Sequence, residues 1–142
     1  MEINTIWDSR FLRIAEEVST WSKDPSTKVG AVVVDNNNRI VSTGYNGFPQ
    51  RVADDDRLND RNAKYIRIVH AEINALLFAN RPVTNCRIYT YPFLPCPRCA
   101  GPLIQAGINM VIAPKNTNER WAEDFKISRE ILAEAGLFLR EI

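Results

Sequence analysis

The chain is poor in the residues that staple or anchor a protein. Its 142 residues hold three cysteines and one histidine. Three cysteines do not build a disulfide framework, so a reducing cytoplasm is the expected setting. No apolar run approaches the ~20 residues of a membrane span, and no membrane association is expected. Met1-Glu2-Ile3-Asn4 lacks the basic and apolar regions of a signal peptide. Charge of one sign is lacking too: 18 Lys and Arg face 17 Asp and Glu, for a net charge of +1. Such a chain has no field to gather nucleic acid polymers or anionic lipid. There is no internal repeat and no low-complexity tract. What is left, 45% hydrophobic and 25% charged residues, is ordinary for a globular protein. Its length suits a single domain over residues 1–142.

The scarce residues are concentrated. The sole histidine stands in His70-Ala71-Glu72, and Pro95-Cys96-Pro97-Arg98-Cys99 follows, with Cys96 placed 24 residues after Glu72. His70, Cys96 and Cys99 supply three metal ligands, and Glu72 a carboxylate that need not be one. A catalytic zinc requires an incomplete protein shell plus a base beside it. The spacing is that of zinc-dependent nucleobase deaminases. Alone, a histidine is more often a hydrogen-bonded core residue, and a CxxC pair more often a redox couple or half of a structural zinc site. Together with the glutamate and the prolines they favour a catalytic zinc. A structural site would need a fourth ligand, and only Cys86 is spare. The strand read between Cys86 and Cys96 carries Cys86 more than ~15 Å away, which leaves the fourth position to water.

The spacing also dictates local structure. Residues two apart on a regular helix point about 200° apart, so His70 and Glu72 can serve one site only at a helix N-terminus. Cys96 and Cys99, three apart, share a face at the start of another helix. Pro95, Pro97 and Pro102 suit a helix start better than an interior. Two positive helix ends then face one ion and favour thiolate.

Elsewhere the elements alternate. Trp7, Phe11, Ile14, Val18 and Trp21 form a helical stripe of core residues, with Asp8 or Ser9 as N-cap and Asp24-Pro25 as the stop. Residues 28–35 and 39–44 read as a hairpin turned at Asn36-Asn37-Asn38. Ala71 to Asn80, apolar on nearly every face, reads as a buried helix. A strand over 87–91, a helix over 97–106 closed by Gly107, a strand over 110–113, a helix over 120–135 closed by Gly136 and a strand over 137–140 complete the pattern. A hairpin followed by strand–helix alternation implies a three-layer α/β/α fold around a central mixed five-stranded sheet. Arg51 to Tyr65, with four charges of each sign, reads as a solvated connector or, since it leads into His70, a lid or subunit contact.

With these residues in place, the chain resembles the deoxycytidylate (dCMP) deaminase family of the cytidine deaminase-like superfamily. Three stretches carry the resemblance: Asp24 to Val34, Gly44-Tyr45-Asn46-Gly47-Phe48-Pro49, and His70 to Ala79. It implies zinc held by His70, Cys96 and Cys99, with Glu72 as proton shuttle. It implies substrate contacts from Asn46 to the sugar, from Ser26, Thr27 and Lys28 near the 5′-phosphate, and from Ala71. Larger members carry extra Cys and His for a second zinc, which this chain lacks. Asn116 to Trp121 departs from the family pattern, and Trp121 is a candidate to line the pocket or stack on the base. A homo-oligomer, dimer or hexamer, is implied as well.

The reaction so implied is hydrolytic deamination of dCMP to dUMP and ammonia, supplying dUMP for thymidylate synthesis. Glu72 moves protons to ring N3 and then to the leaving ammonia. The alternatives are the same chemistry on guanine, a tRNA adenosine or a riboflavin-pathway pyrimidine, or a non-catalytic zinc-binding module. An unligated Glu72 argues against the last.

Overall fold

The structure, a computed structural model, describes residues 5–142. Met1 to Asn4, on which the expectation about a signal peptide rests, lie outside the described residues.

Five strands, β1 (Gly30–Val34), β2 (Ile40–Tyr45), β3 (Arg87–Tyr91), β4 (Met110–Ala113) and β5 (Phe138–Glu141), form one sheet in the order β2-β1-β3-β4-β5. β1 runs antiparallel to both β2 and β3, whereas β3, β4 and β5 are parallel. The helices are α1 (Thr5–Ser19), α2 (Arg61–Arg67), α3 (Ala71–Leu77), α4 (Pro97–Gln105) and α5 (Ala122–Glu134).

Strand parity explains the layers. Successive side chains leave opposite faces of a strand. Val32, Val34, Tyr89 and Ile112 meet Phe11, Ala15 and Val18 of α1 on one face. Ala31, Val33, Ile88 and Val111 meet Ala71, Ala75, Leu103 and Leu132 of α3, α4 and α5 on the other. The two parallel crossovers progress the same way along the sheet, so right-handedness puts α4 and α5 on the same side. With both faces covered, β1 is a continuous apolar run buried at all five positions. This is the three-layer α/β/α fold with a mixed five-stranded sheet expected from the sequence.

The α3 layer is fixed to the hairpin with little play. Ser42 donates to the Ala75 carbonyl at 2.7 Å and the Asn74 amide to the Tyr45 carbonyl at 2.8 Å. Gly47 and Val69 form an antiparallel bridge one residue before His70. Gly44 lets α3 approach β2 backbone to backbone, as Gly30 does for α1 and β1.

Some expected details are corrected. α1 already includes Thr5, so neither Asp8 nor Ser9 caps it. Asp8 is buried; it accepts from the Tyr89 hydroxyl at 2.5 Å and pairs with Arg140. α1 stops at Ser19, so Asp24-Pro25 is not its end. Trp21 falls beyond the helix, half-exposed, with its ring edge against Tyr45. α3 ends at Leu77 rather than Asn80 and is not buried all round: Leu77 and Phe78 are exposed.

Candidate active site

His70 is the N-cap of α3 and Cys96 the N-cap of α4, and neither makes a side-chain capping bond. Their side chains are therefore turned away from their own helices and toward one another. Pro97 occupies the first turn of α4, where a missing N–H costs nothing. The amides of Cys99 and Ala100 close that turn on the Cys96 carbonyl, at 3.0 and 3.1 Å.

His70 Nδ1 lies 3.2 Å from Cys99 Sγ and 3.4 Å from Cys96 Sγ, and the two sulfurs are 3.7 Å apart. With metal–sulfur bonds of about 2.3 Å and metal–nitrogen bonds of about 2.0 Å, an ideal tetrahedral zinc site spaces sulfurs about 3.8 Å apart and nitrogen about 3.5 Å from each sulfur. The three donors fit that set. They are the only group of three or more His, Cys, Asp or Glu placed to hold a metal ion among the described residues. Cys86 is instead packed in the core with Ile88 and Val111.

The three donors act on one another's protons. The contact with Cys99 pulls the Cys96 thiol down to about 4, and the same contact pushes Cys99 up. The hydrogen bond to Cys96 raises His70. Glu72, in the first turn of α3, is buried and stands outside the ligand group. Burial pushes its carboxyl up to about 7. A carboxyl poised near neutrality can both take and return a proton.

These groups open into a cavity of about 850 Å³. Ala71, Ser26, Thr27, Asn46 and Trp121 line it, as do His70, Glu72 and Cys96. Trp121 forms part of the wall, its ring centre 6.4 Å from that of Phe93. Asn46 is buried and largely engaged: its Oδ1 accepts from the Val29 amide at 2.9 Å, and its Nδ2 donates to the Thr27 carbonyl at 2.9 Å. One lone pair of Oδ1 is left to receive a hydroxyl.

Lys28 is not brought to this cavity. Its ammonium donates to the Ser22 carbonyl at 2.5 Å, outside the lining. The reason is strand parity, which directs Lys28 and Val29 to opposite sides as the chain approaches β1. Lys64 stands beside Ser26 instead, 2.5 Å from its Oγ and 3.0 Å from Asp24 Oδ1. Burial alone would raise the Asp24 carboxyl. The Ser26 and Thr27 amides, the Lys64 ammonium and the Ser26 hydroxyl outweigh it and hold the group below its usual range.

Residues 51–65 thus do more than connect. A short 3₁₀ turn (Asp56–Asn59) and α2 supply Leu58, Arg61, Lys64 and Tyr65 to the cavity wall. Arg98, between the two cysteines, lies over the Tyr65 ring at 5.0 Å. The sequence places Lys64 and Tyr65 only in a connector, lid or subunit contact and gives Arg98 no role; the signal available for all three is their nearness to His70 and the CxxC pair.

The geometry agrees with the comparisons. The family described as the cytidine and deoxycytidylate deaminase zinc-binding region matches residues 5–114. The chain belongs to the deoxycytidylate deaminase family. It is 46% identical over 134 residues to the "uncharacterized deaminase in luxG 3′region" of Aliivibrio fischeri, covering 92% of this chain and 90% of that one. Against deoxycytidylate deaminase of Mus musculus, identity is 41% over 142 residues, covering 95% of this chain and 79% of that one. The dCMP deaminase of cyanophage S-TIM5, solved with dCMP and dUMP, has the same fold: TM-score 0.78 at 23% identity, covering 100% of both chains. The protein is a deaminase of the hydrolase class, and a His/Cys/Cys group compatible with zinc lies within its family region. No described helix is long and apolar enough to cross a membrane.

Proposed function

We propose that this deaminase converts dCMP to dUMP and ammonia with one zinc ion per chain, and so supplies dUMP for thymidylate synthesis. The observation that carries the reading is the buried Glu72 carboxyl beside a His70–Cys96–Cys99 cluster of zinc-site dimensions. Its position in the family, with relatives named for deoxycytidylate, supports the substrate.

His70, Cys96 and Cys99 would hold the metal. Zinc, when bound, supplies a Lewis acid that makes water nucleophilic near neutral pH. Glu72 serves as the proton shuttle: it takes one proton from the attacking water and delivers it to ring N3, then takes the remaining proton from the hydroxyl now on C4 and gives it to the amine, which leaves as ammonia while C4=O forms. Its buried setting keeps bulk water from competing. Asn46 orients the sugar through the free side of Oδ1, with Ala71 and Trp121 beside the base. Ser26 and Thr27 lie where the 5′-phosphate is expected.

A panel of dCMP, deoxycytidine, CMP and guanine, scored by ammonia release, tests the substrate. The expected order has dCMP first; release from guanine alone would refute it. We also propose that the single domain assembles as a homo-oligomer, dimer or hexamer, in the cytoplasm. The exposed Tyr65, Ile66, Leu77 and Phe78 support association. Sedimentation at micromolar concentration showing only a species near 16.2 kDa would refute it.

A further inference from the structure

Four cationic side chains line the cavity: Arg61, Lys64, Arg98 and Arg120. They are not equivalent. Arg61, Arg98 and Arg120 are exposed residues, whereas Lys64 is partly buried, with only 17% of its side chain accessible. Arg98 sits between the cysteines and Arg120 lies over its neighbour Trp121 at 4.8 Å. Lys64 instead faces the start of β1, where its ammonium uses two of its three donors on Asp24 and Ser26. Asp24 is the hub of that corner. It receives the Ser26 and Thr27 amides at 2.9 and 3.3 Å, and its other oxygen receives Asn46 Nδ2 at 3.4 Å.

We propose that Lys64, held in place by Asp24, is the cation that selects a 5′-monophosphate, in the role the family resemblance implies for Lys28. This rests on the monophosphate reading above. The placement follows from connectivity. The reacting carbon must lie at Glu72 and the metal-binding cluster. Asn46, which takes the sugar, is hydrogen-bonded to Asp24, and Asp24 is ion-paired to Lys64. A phosphate one methylene beyond the sugar therefore meets the third Lys64 donor and the Thr27 hydroxyl, while the Ser26 hydroxyl proton is held by Asp24 Oδ1 at 3.0 Å. A half-buried ammonium is less screened than the exposed arginines, so its bond to a phosphate is the stronger one. Asp24 is a positioning residue: it keeps the lysine stem folded against the wall and fixes where the charge points.

The test is Lys64→Ala on the zinc-loaded protein, with two readouts. The ratio of kcat/KM for dCMP over deoxycytidine is expected to fall roughly 10- to 100-fold. The Kd for dUMP, measured by calorimetry, is expected to rise by a similar factor, with Lys64→Arg recovering part of both. If Lys64→Ala fails to fold, Lys64→Met keeps the apolar stem and is read the same way. An unchanged ratio, or an equal fall on both substrates, overturns the assignment, as does a ratio that collapses in Lys28→Ala but survives in Lys64→Ala. Failure of the underlying reading is separate, because it shows in the unmodified protein as no preference for dCMP over deoxycytidine.

Discussion

Gly44 and Ala71 are packed backbone against backbone. A Cβ on Gly44 would strike the Ala71 carbonyl oxygen and the Ala75 amide, and would come within 3.0 Å of the Ala75 Cα. No side chain is there to yield. The helix it would displace carries Glu72 and begins at His70. Gly44→Ala is expected to destabilise the fold by about 1–3 kcal/mol or more. Activity should fall further than stability, because a shift near 1 Å at the chemistry can cost ~10²-fold. Urea unfolding alongside steady-state rates checks both.

Glu72→Gln is expected to retain fold and metal while turnover falls ~10²–10⁴-fold. The amide fills the same buried space but cannot carry the proton. Loss of metal in this variant, read by elemental analysis, would make Glu72 a ligand.

Cys99→Ala is expected to lose the metal outright. Cys99 lies within 3.7 Å of the other two donors, and the described residues offer no other group to replace it. The unsubstituted protein should bind one zinc per chain by elemental analysis; two would contradict the assignment.

Asp24 gives a pH signature. Its folded pKa lies below the ordinary carboxylate value of about 4, so its ionised form contributes stability above that value, and the contribution is lost as pH falls through the folded pKa. Asp24→Asn should therefore melt at a lower temperature than the wild type at pH 6–7. The gap should narrow in acid, once pH drops below about 4. A gap that widens in acid would reverse the sign and the account of this corner.

Much of this was legible in the chain because the relevant signals are local. His-x-Glu and Cys-x-x-Cys fix two helix starts, and short β-branched and apolar runs bounded by turn residues fix the strands. The correction at Lys28 concerns direction rather than location. Its stretch does border the cavity, but the side chain leaves on the other side, and only the fold shows that Lys64 comes across from α2. Asp8 misled for a related reason. An aspartate at the start of an apolar stripe reads as a cap, yet its partners are Tyr89 and Arg140, 81 and 132 residues away. The exposed Leu77 and Phe78 look like core to any periodicity argument, because apolarity alone does not say which face is covered.

The most direct test of the central claim is to incubate the zinc-loaded protein with dCMP and follow both products by NMR. The account predicts dUMP and ammonia in equal amounts, with both formed ~10²–10⁴-fold more slowly by Glu72→Gln. No dUMP from dCMP, or undiminished dUMP formation by Glu72→Gln, would contradict it.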